Sequence, residues 1–306
     1  MRLLATGSRA LEAAPGRLTW IALLALALAV IVPSAGLAAD SDTLLGLLVL
    51  ATALGISVTE LAGLRDHWRE VAVLSVAPLV VLAGASWVLS QAFTGGVRDG
   101  LLATGLASSE VASVGLVALA GADATIALGV VTGSLVASAL LGPVVIGWLG
   151  AAGAHANGLA LLGRFALVVI APLAVGVALR TLPAVGTRVA AKDPQREGVC
   201  ALVVALLVYA ALSGASGGSH LASAALASAA FLAVSAALAA GWHAWARRRR
   251  GATALPGAFT IAMRDFAVAA ALATQAYGTR AGTVPGVYGV LMLVGGSAVA
   301  ARMRSR

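Results

Sequence analysis

Apolar stretches of about twenty residues recur along the whole chain, nearly free of charge, and charges and turn formers collect in the short segments between them. They fall near 18–36, 42–63, 70–92, 97–121, 123–150, 157–180, 197–215, 219–246, 254–278 and 283–301. Such a stretch spans the hydrocarbon core of a bilayer as a helix, about 30 Å at 1.5 Å per residue. The runs are continuous and do not alternate with period two, which excludes a membrane barrel. Punctuation falls at Asp40-Ser41-Asp42, at Arg65 to Glu70, at Lys192 to Arg196 and at Arg247 to Arg250. Only 10% of the 306 residues are charged, against about a quarter in a soluble domain, so no water-soluble core could cover this apolar surface. The expectation is an all-α, polytopic membrane protein of about ten transmembrane helices.

The placement of positive charge orients it. With ten spans and a cytoplasmic N-terminus, sixteen of the twenty Lys and Arg residues lie on the inner side and only Arg98 and Arg280 on the outer, while Arg164 and Arg264 fall inside spans. Adding or removing one span would scramble that asymmetry. It predicts a multi-pass inner-membrane protein with both termini cytoplasmic. The net charge of +8 is scattered singly between spans, so it marks topology and no nucleic-acid surface. All six tryptophans lie near predicted span ends, as an interfacial belt requires. The single cysteine, Cys200, excludes an internal disulfide and a Cys-x-x-Cys pair. The N-terminal stretch imitates a secretory signal, but Leu37 and Ala39 make a poor cleavage site, so it reads as an uncleaved first helix.

Ten spans divide into five and five: a tail 1–17, a first unit 18–150, a second 151–302 and a tail 303–306. An odd number per unit inverts the second relative to the first, an arrangement common in secondary transporters. Spans four and nine then occupy equivalent places. The deepest ionisable residues sit there: Glu110 in Ser108-Ser109-Glu110 and Arg264-Asp265 after Thr260, with Glu110 and Asp265 155 residues apart. A charge at the middle of a membrane helix costs about 3 kcal/mol on insertion scales, so such residues pair or work. Two readings stay open: a buried Glu110–Arg264 ion pair that locks two helices, or a midplane binding site. Hydroxyls cluster around them, with Ser108, Ser109 and Ser113 in span four and Thr132 and Ser134 in span five. Asp123 is placed to cap the start of span five.

These segments resemble the bile acid:sodium symporter family, within the bile acid/arsenite/riboflavin transporter superfamily, as a divergent bacterial member. The resemblance covers nearly the whole chain. It rests on Gly55 to Leu61, on Gly105 to Ser113 followed by Leu119 to Asp123, on Met263 to Ala273, and on Val287 to Leu291. It implies two inverted five-helix repeats, a panel and a core domain, and discontinuous helices four and nine crossing near the ion sites. It places Ser113, Thr132 and Ser134 near one sodium. The departures are local: Leu106 to Glu110 replace a Cys-x-Pro-Gly-Gly string, Val114 replaces an asparagine, and in span nine Thr260 and Arg264 stand where the family has glutamate and glutamine. An arginine there repels a sodium ion at low dielectric, which turns attention to a proton on Glu110 or Asp265. The missing span-four cysteine argues against thiol-based arsenite handling.

The functional expectation is therefore a secondary transporter, not an enzyme, that moves a small organic anion by alternating access, with sodium or a proton as coupling ion and no cofactor. Its partners are the bilayer and that solute, not nucleic acid. Its expected site comprises Ser108, Ser109, Glu110, Ser113, Thr132, Ser134, Thr260, Arg264 and Asp265. One alternative is a transporter-fold sensor or scaffold without flux, which the missing sodium ligands favour. Another is an intramembrane serine hydrolase built on Gly214-Ala215-Ser216-Gly217 with His220 or His243 as base.

Overall fold

The computed structural model describes residues 24–25, 27–29, 41–56, 62–149, 158–191, 193–213, 218–249 and 251–304. Among them thirteen α-helices occur: α1 (Ser41–Ala53), α2 (Trp68–Ser90), α3 (Gly95–Leu106), α4 (Ala112–Leu119), α5 (Ala124–Leu149), α6 (Gly158–Phe165), α7 (Ala171–Thr181), α8 (Pro183–Ala191), α9 (Asp193–Ser213), α10 (Gly218–Arg248), α11 (Ala254–Ala262), α12 (Phe266–Tyr277) and α13 (Thr283–Arg304). A π-helical turn, Ala166–Ile170, runs α6 into α7. Five helical stretches are long and apolar enough to cross a membrane: Gly63–Ser90, Ala124–Trp148, Leu159–Thr181, His220–Arg248 and Thr279–Arg304. Asp42–Ala53, Gly198–Ser213 and Phe266–Tyr277 are shorter apolar helices.

The outer surface is apolar, as lipid requires. Leu226 is 65% exposed and Leu167 70%, while buried positions carry Ser86, Ser90, Thr104, Ser138 and Ser235 beside the alanines and leucines. Without a hydrophobic drive between helices in lipid, small residues and hydroxyls let backbones approach and bond. Gly105 on α3 shows the tightness: a Cβ there would come 2.0 Å from Ser86 Oγ on α2. Gly289 on α13 is alike, because a Cβ would meet the Phe266 ring carbon at 2.5 Å.

Two predicted stretches, 97–121 and 254–278, are each broken in the middle. The first becomes α3 and α4, the second α11 and α12. The half-helices pack crosswise, α3 against α12 and α4 against α11. Around them α2 packs on α3 and α5, and α10 packs on α11 and α13. Further out α1 packs on α7 and α9. The segment 180–197, expected as a loop, holds the short helix α8. Pro183 opens it at a position where a missing N–H costs nothing, and Thr187 Oγ1 donates to Pro183 O at 2.9 Å.

Candidate functional site

The two breaks meet. Ala107 leaves α3 with φ −69° and ψ 156°, and Met263 leaves α11 with φ −110° and ψ 109°, so each chain runs extended for a few residues. Ser109 and Arg264 form an isolated antiparallel bridge. Glu110 N donates to Met263 O at 2.9 Å, and Asp265 N donates to Ser108 O at 2.7 Å. Broken helices leave amides and carbonyls without intrahelical partners, and in lipid each must find one inside the protein.

Neighbouring helices supply them. Ser134 Oγ on α5 accepts from Ser109 N at 2.9 Å, and Ser138 Oγ, four residues on, donates to Leu106 O at 2.6 Å. At the second break Tyr288 does both jobs: its hydroxyl accepts from Arg264 N at 3.1 Å and donates to Ala262 O at 3.0 Å. Ser235 Oγ also donates to Ala262 O, at 3.3 Å.

Each charged side chain faces the helix end whose dipole favours it. Asp265 caps α12, its Oδ1 accepting from Ala267 N at 2.9 Å and Val268 N at 3.0 Å. Glu110 stands before α4, with Oε1 accepting from Ala112 N at 3.4 Å and Ser113 Oγ bonding its backbone oxygen at 2.6 Å. Arg264, fully buried, lies against the carbonyl end of α3, donating to Ala107 O through Nη2 and to Ser109 Oγ at 3.5 Å through Nη1. Carboxylates before N-termini and a guanidinium at a C-terminus complement the macrodipoles. Glu110 Oε2, Ser108 Oγ, Thr132 Oγ1 and Arg264 Nε are buried without a protein partner.

Ser108, Ser109, Glu110, Ser113, Ser134, Arg264 and Asp265 therefore converge at the crossing, with one correction. Glu110 and Arg264 do not form the ion pair that one reading of the sequence offered; the guanidinium donates to Ala107 O and Ser109 Oγ instead. Thr260, fully buried, donates from Oγ1 to Pro256 O at 2.9 Å and Gly257 O at 3.1 Å inside α11. Thr132 and Ser134, two residues apart on one helix, point about 200° apart; Ser134 Oγ meets Ser109 N, and Thr132 Oγ1 is buried without a protein partner. Asp123 does cap α5, accepting from Thr125 N at 2.8 Å. Ser138, Ser235 and Tyr288 were missed. A signal existed for two of them: Ser138 follows Ser134 by one helical turn, and a tyrosine inside an apolar span needs a partner for its hydroxyl. The Gly214–Gly217 string and most of the Gly55–Leu61 motif lie outside the described residues. His243 is 23 residues along α10 from His220, about 35 Å by helical rise, so both cannot serve one serine.

Beside the first break lies a cavity of about 330 Å³, walled by Val111 just before α4, Val114 of α4, Thr125 and Leu128 of α5, Thr52 of α1 and Arg196 of α9. It adjoins Glu110 through the chain but does not lie between the two broken helices. At the other end of α1 the polar contacts are closed. Asp42, in its first turn, accepts from Arg164 Nε at 2.6 Å on α6 and from Gln275 Nε2 on α12. Thr52 is ten residues further along, about 15 Å of helix.

Two broken apolar helices thus cross with buried charges at their ends. The model of the SBF-like CPA transporter family matches residues 17–281, most of the chain. The chain belongs to that family. This places the transporter in the bile acid/arsenite/riboflavin transporter superfamily, as a multi-pass membrane protein that moves a small molecule across the bilayer. No curated protein matches the chain individually.

Proposed function

We propose that this transporter carries a small organic anion across the inner membrane by alternating access, coupled to a proton bound at Glu110. The observation that carries the reading is the position of Arg264, a permanent cation seated on the carbonyl end of α3 where the resembling family would hold sodium. With that cation built in, the acid at the crossing with an oxygen buried away from any protein partner is Glu110. A proton neutralises it without needing a ligand shell. Asp265, fixed as the cap of α12, is the less mobile acid.

The packing supports ten crossings in two inverted units. The pairs α2–α5 and α10–α13, α3–α12 and α11–α4, and α5–α11 and α13–α3 repeat one another when the second unit is laid on the first. In that reading α1, α6, α7 and α9 form the panel, the N- and C-termini are cytoplasmic, and the cavity opens inward while the Asp42–Arg164–Gln275 contact closes the outer end. Flux in reconstituted vesicles tests it. Organic-anion uptake is expected to persist without sodium and to collapse when a protonophore is added. Strict sodium dependence would sink the proton assignment.

A further inference from the structure

We infer that the end of α10 binds the phosphate headgroup of an anionic phospholipid on Arg247, Arg248 and Arg249, beside Trp245. Such a site is independent of the solute and of the coupling ion. These arginines close the apolar length of α10, and the chain carries no Asp or Glu between Glu197 and Asp265. All three are exposed, and among the described residues none of them meets a carboxylate. The neighbouring elements do not neutralise them. Ser228 Oγ on α10 donates to Val284 O, 56 residues on, and Phe231 meets the Tyr288 ring edge-on at 5.5 Å, so α10 and α13 run parallel. Their last turns are therefore level, and that of α13 brings Arg302 and Arg304. The helix α11 carries no charged residue. On α2, whose Val71 joins Trp242 in one apolar cluster, the acid Glu70 faces His67 at 3.8 Å.

The aromatic side of the site is held in place. Trp242 Nε1 donates to Thr253 O at 3.1 Å, and Gly257 leaves room for the indole, since a Cβ there would sit 2.2 Å from Nε1. Trp245 lies 5.1 Å from Trp242 and is 48% exposed, with the Arg249 guanidinium 4.7 Å over its ring. An indole settles where hydrocarbon meets headgroup, the level at which lipid phosphates lie. A guanidinium resting on a ring keeps N–H groups for a phosphate, and arginines without counter-ions just outside an apolar span attract anionic headgroups. His243 Nδ1 is 3.3 Å from Ala254 O, so this end of α10 is tied to the start of α11, the helix that leads into the second break. A second pair, Arg69 5.4 Å from the Trp68 ring, differs because Asp66 and Glu70 flank it in the chain.

Native mass spectrometry of the full chain, released from detergent with equal phosphatidylglycerol and phosphatidylcholine, reads the affinity of the first retained lipid. Phosphatidylglycerol is expected to bind about tenfold more tightly, a preference lost in Arg247→Gln/Arg248→Gln/Arg249→Gln and kept in the triple lysine variant. Trp245→Leu, which frees Arg249, should weaken it about threefold. Arg65→Gln/Arg69→Gln, at the pair flanked by acids, should leave it unchanged. No preference in the unaltered protein, or an equal loss in Arg65→Gln/Arg69→Gln, overturns the site. If the triple glutamine variant does not fold, the unaltered protein and Arg249→Gln decide by thermal unfolding in nanodiscs. The midpoint should rise when phosphatidylglycerol replaces phosphatidylcholine, rise less at high salt, and rise less in Arg249→Gln than in Arg69→Gln. Equal rises in the two variants overturn the site. A rise matched by inorganic phosphate in phosphatidylcholine nanodiscs overturns the lipid assignment in favour of a free anion.

Discussion

At Ala107–Val111 the chain leaves its helix through two serines and a glutamate, and separate hydroxyls on α5, Ser134 and Ser138, take up the freed amide and carbonyl. At Met263–Asp265 it leaves through an arginine and an aspartate, and one hydroxyl on α13, that of Tyr288, takes up both. The second break is self-contained: Asp265 caps its own helix, and Arg264 reaches across to bind the end of the other. The first break has a looser acid, with one oxygen of Glu110 lacking a protein partner. One break thus stiffens the crossing and the other is left free to respond. The difference teaches that two breaks meeting at one crossing can be bonded to different degrees.

The largest effect should come from removing the link between the breaks. Arg264→Ala leaves Ala107 O without its donor and opens a void in the packed centre, for an expected loss of about 3 kcal/mol of stability and of measurable flux. Thermal unfolding in detergent with vesicle uptake checks it; if Arg264→Ala keeps both, the stiffening role is wrong. Next comes Tyr288→Phe, expected to cost about 1–2 kcal/mol, as much as Ser134→Ala and Ser138→Ala combined. Equal unfolding midpoints for Tyr288→Phe and the serine double variant would support the division of labour, and a single serine variant matching it would count against. Asp265→Ala removes a cap worth about 1 kcal/mol, whereas Asp265→Asn, which still caps, should change stability little. The smallest stability change is expected for Glu110→Gln, which keeps the shape and the acceptor facing Ala112 N. Its signature is functional: solute uptake that no longer responds to a pH gradient. Retained coupling in Glu110→Gln would move the proton elsewhere.

Much of the fold and the site is legible in the amino-acid sequence. The apolar stretches predict the described helices closely, because hydropathy over twenty residues reports the lipid environment directly. Ser109, Glu110, Arg264 and Asp265 announce themselves as polar groups where lipid forbids idle ones. Partner choice is what misleads. The sequence points Arg264 at Glu110, the opposite charge at the matching place, but a helix terminus offers carbonyls already gathered and oriented, and the guanidinium goes there. Thr260 bonds within its own helix because a threonine there can donate to the preceding turn. The helix α8 is hidden by charges and a proline that read as loop.

By itself the sequence determined that the chain lives in a bilayer, which stretches are apolar enough for it, and which few polar side chains are worth the cost of burial. These are local properties, set by the solvent each segment must face. Only the tertiary structure decided that two broken helices pair backbone to backbone, which hydroxyl serves which amide across 25 or 157 residues of chain, and that Arg196 comes to rest in a cavity wall. Those are choices among many partners of similar chemistry, and geometry alone distinguishes them.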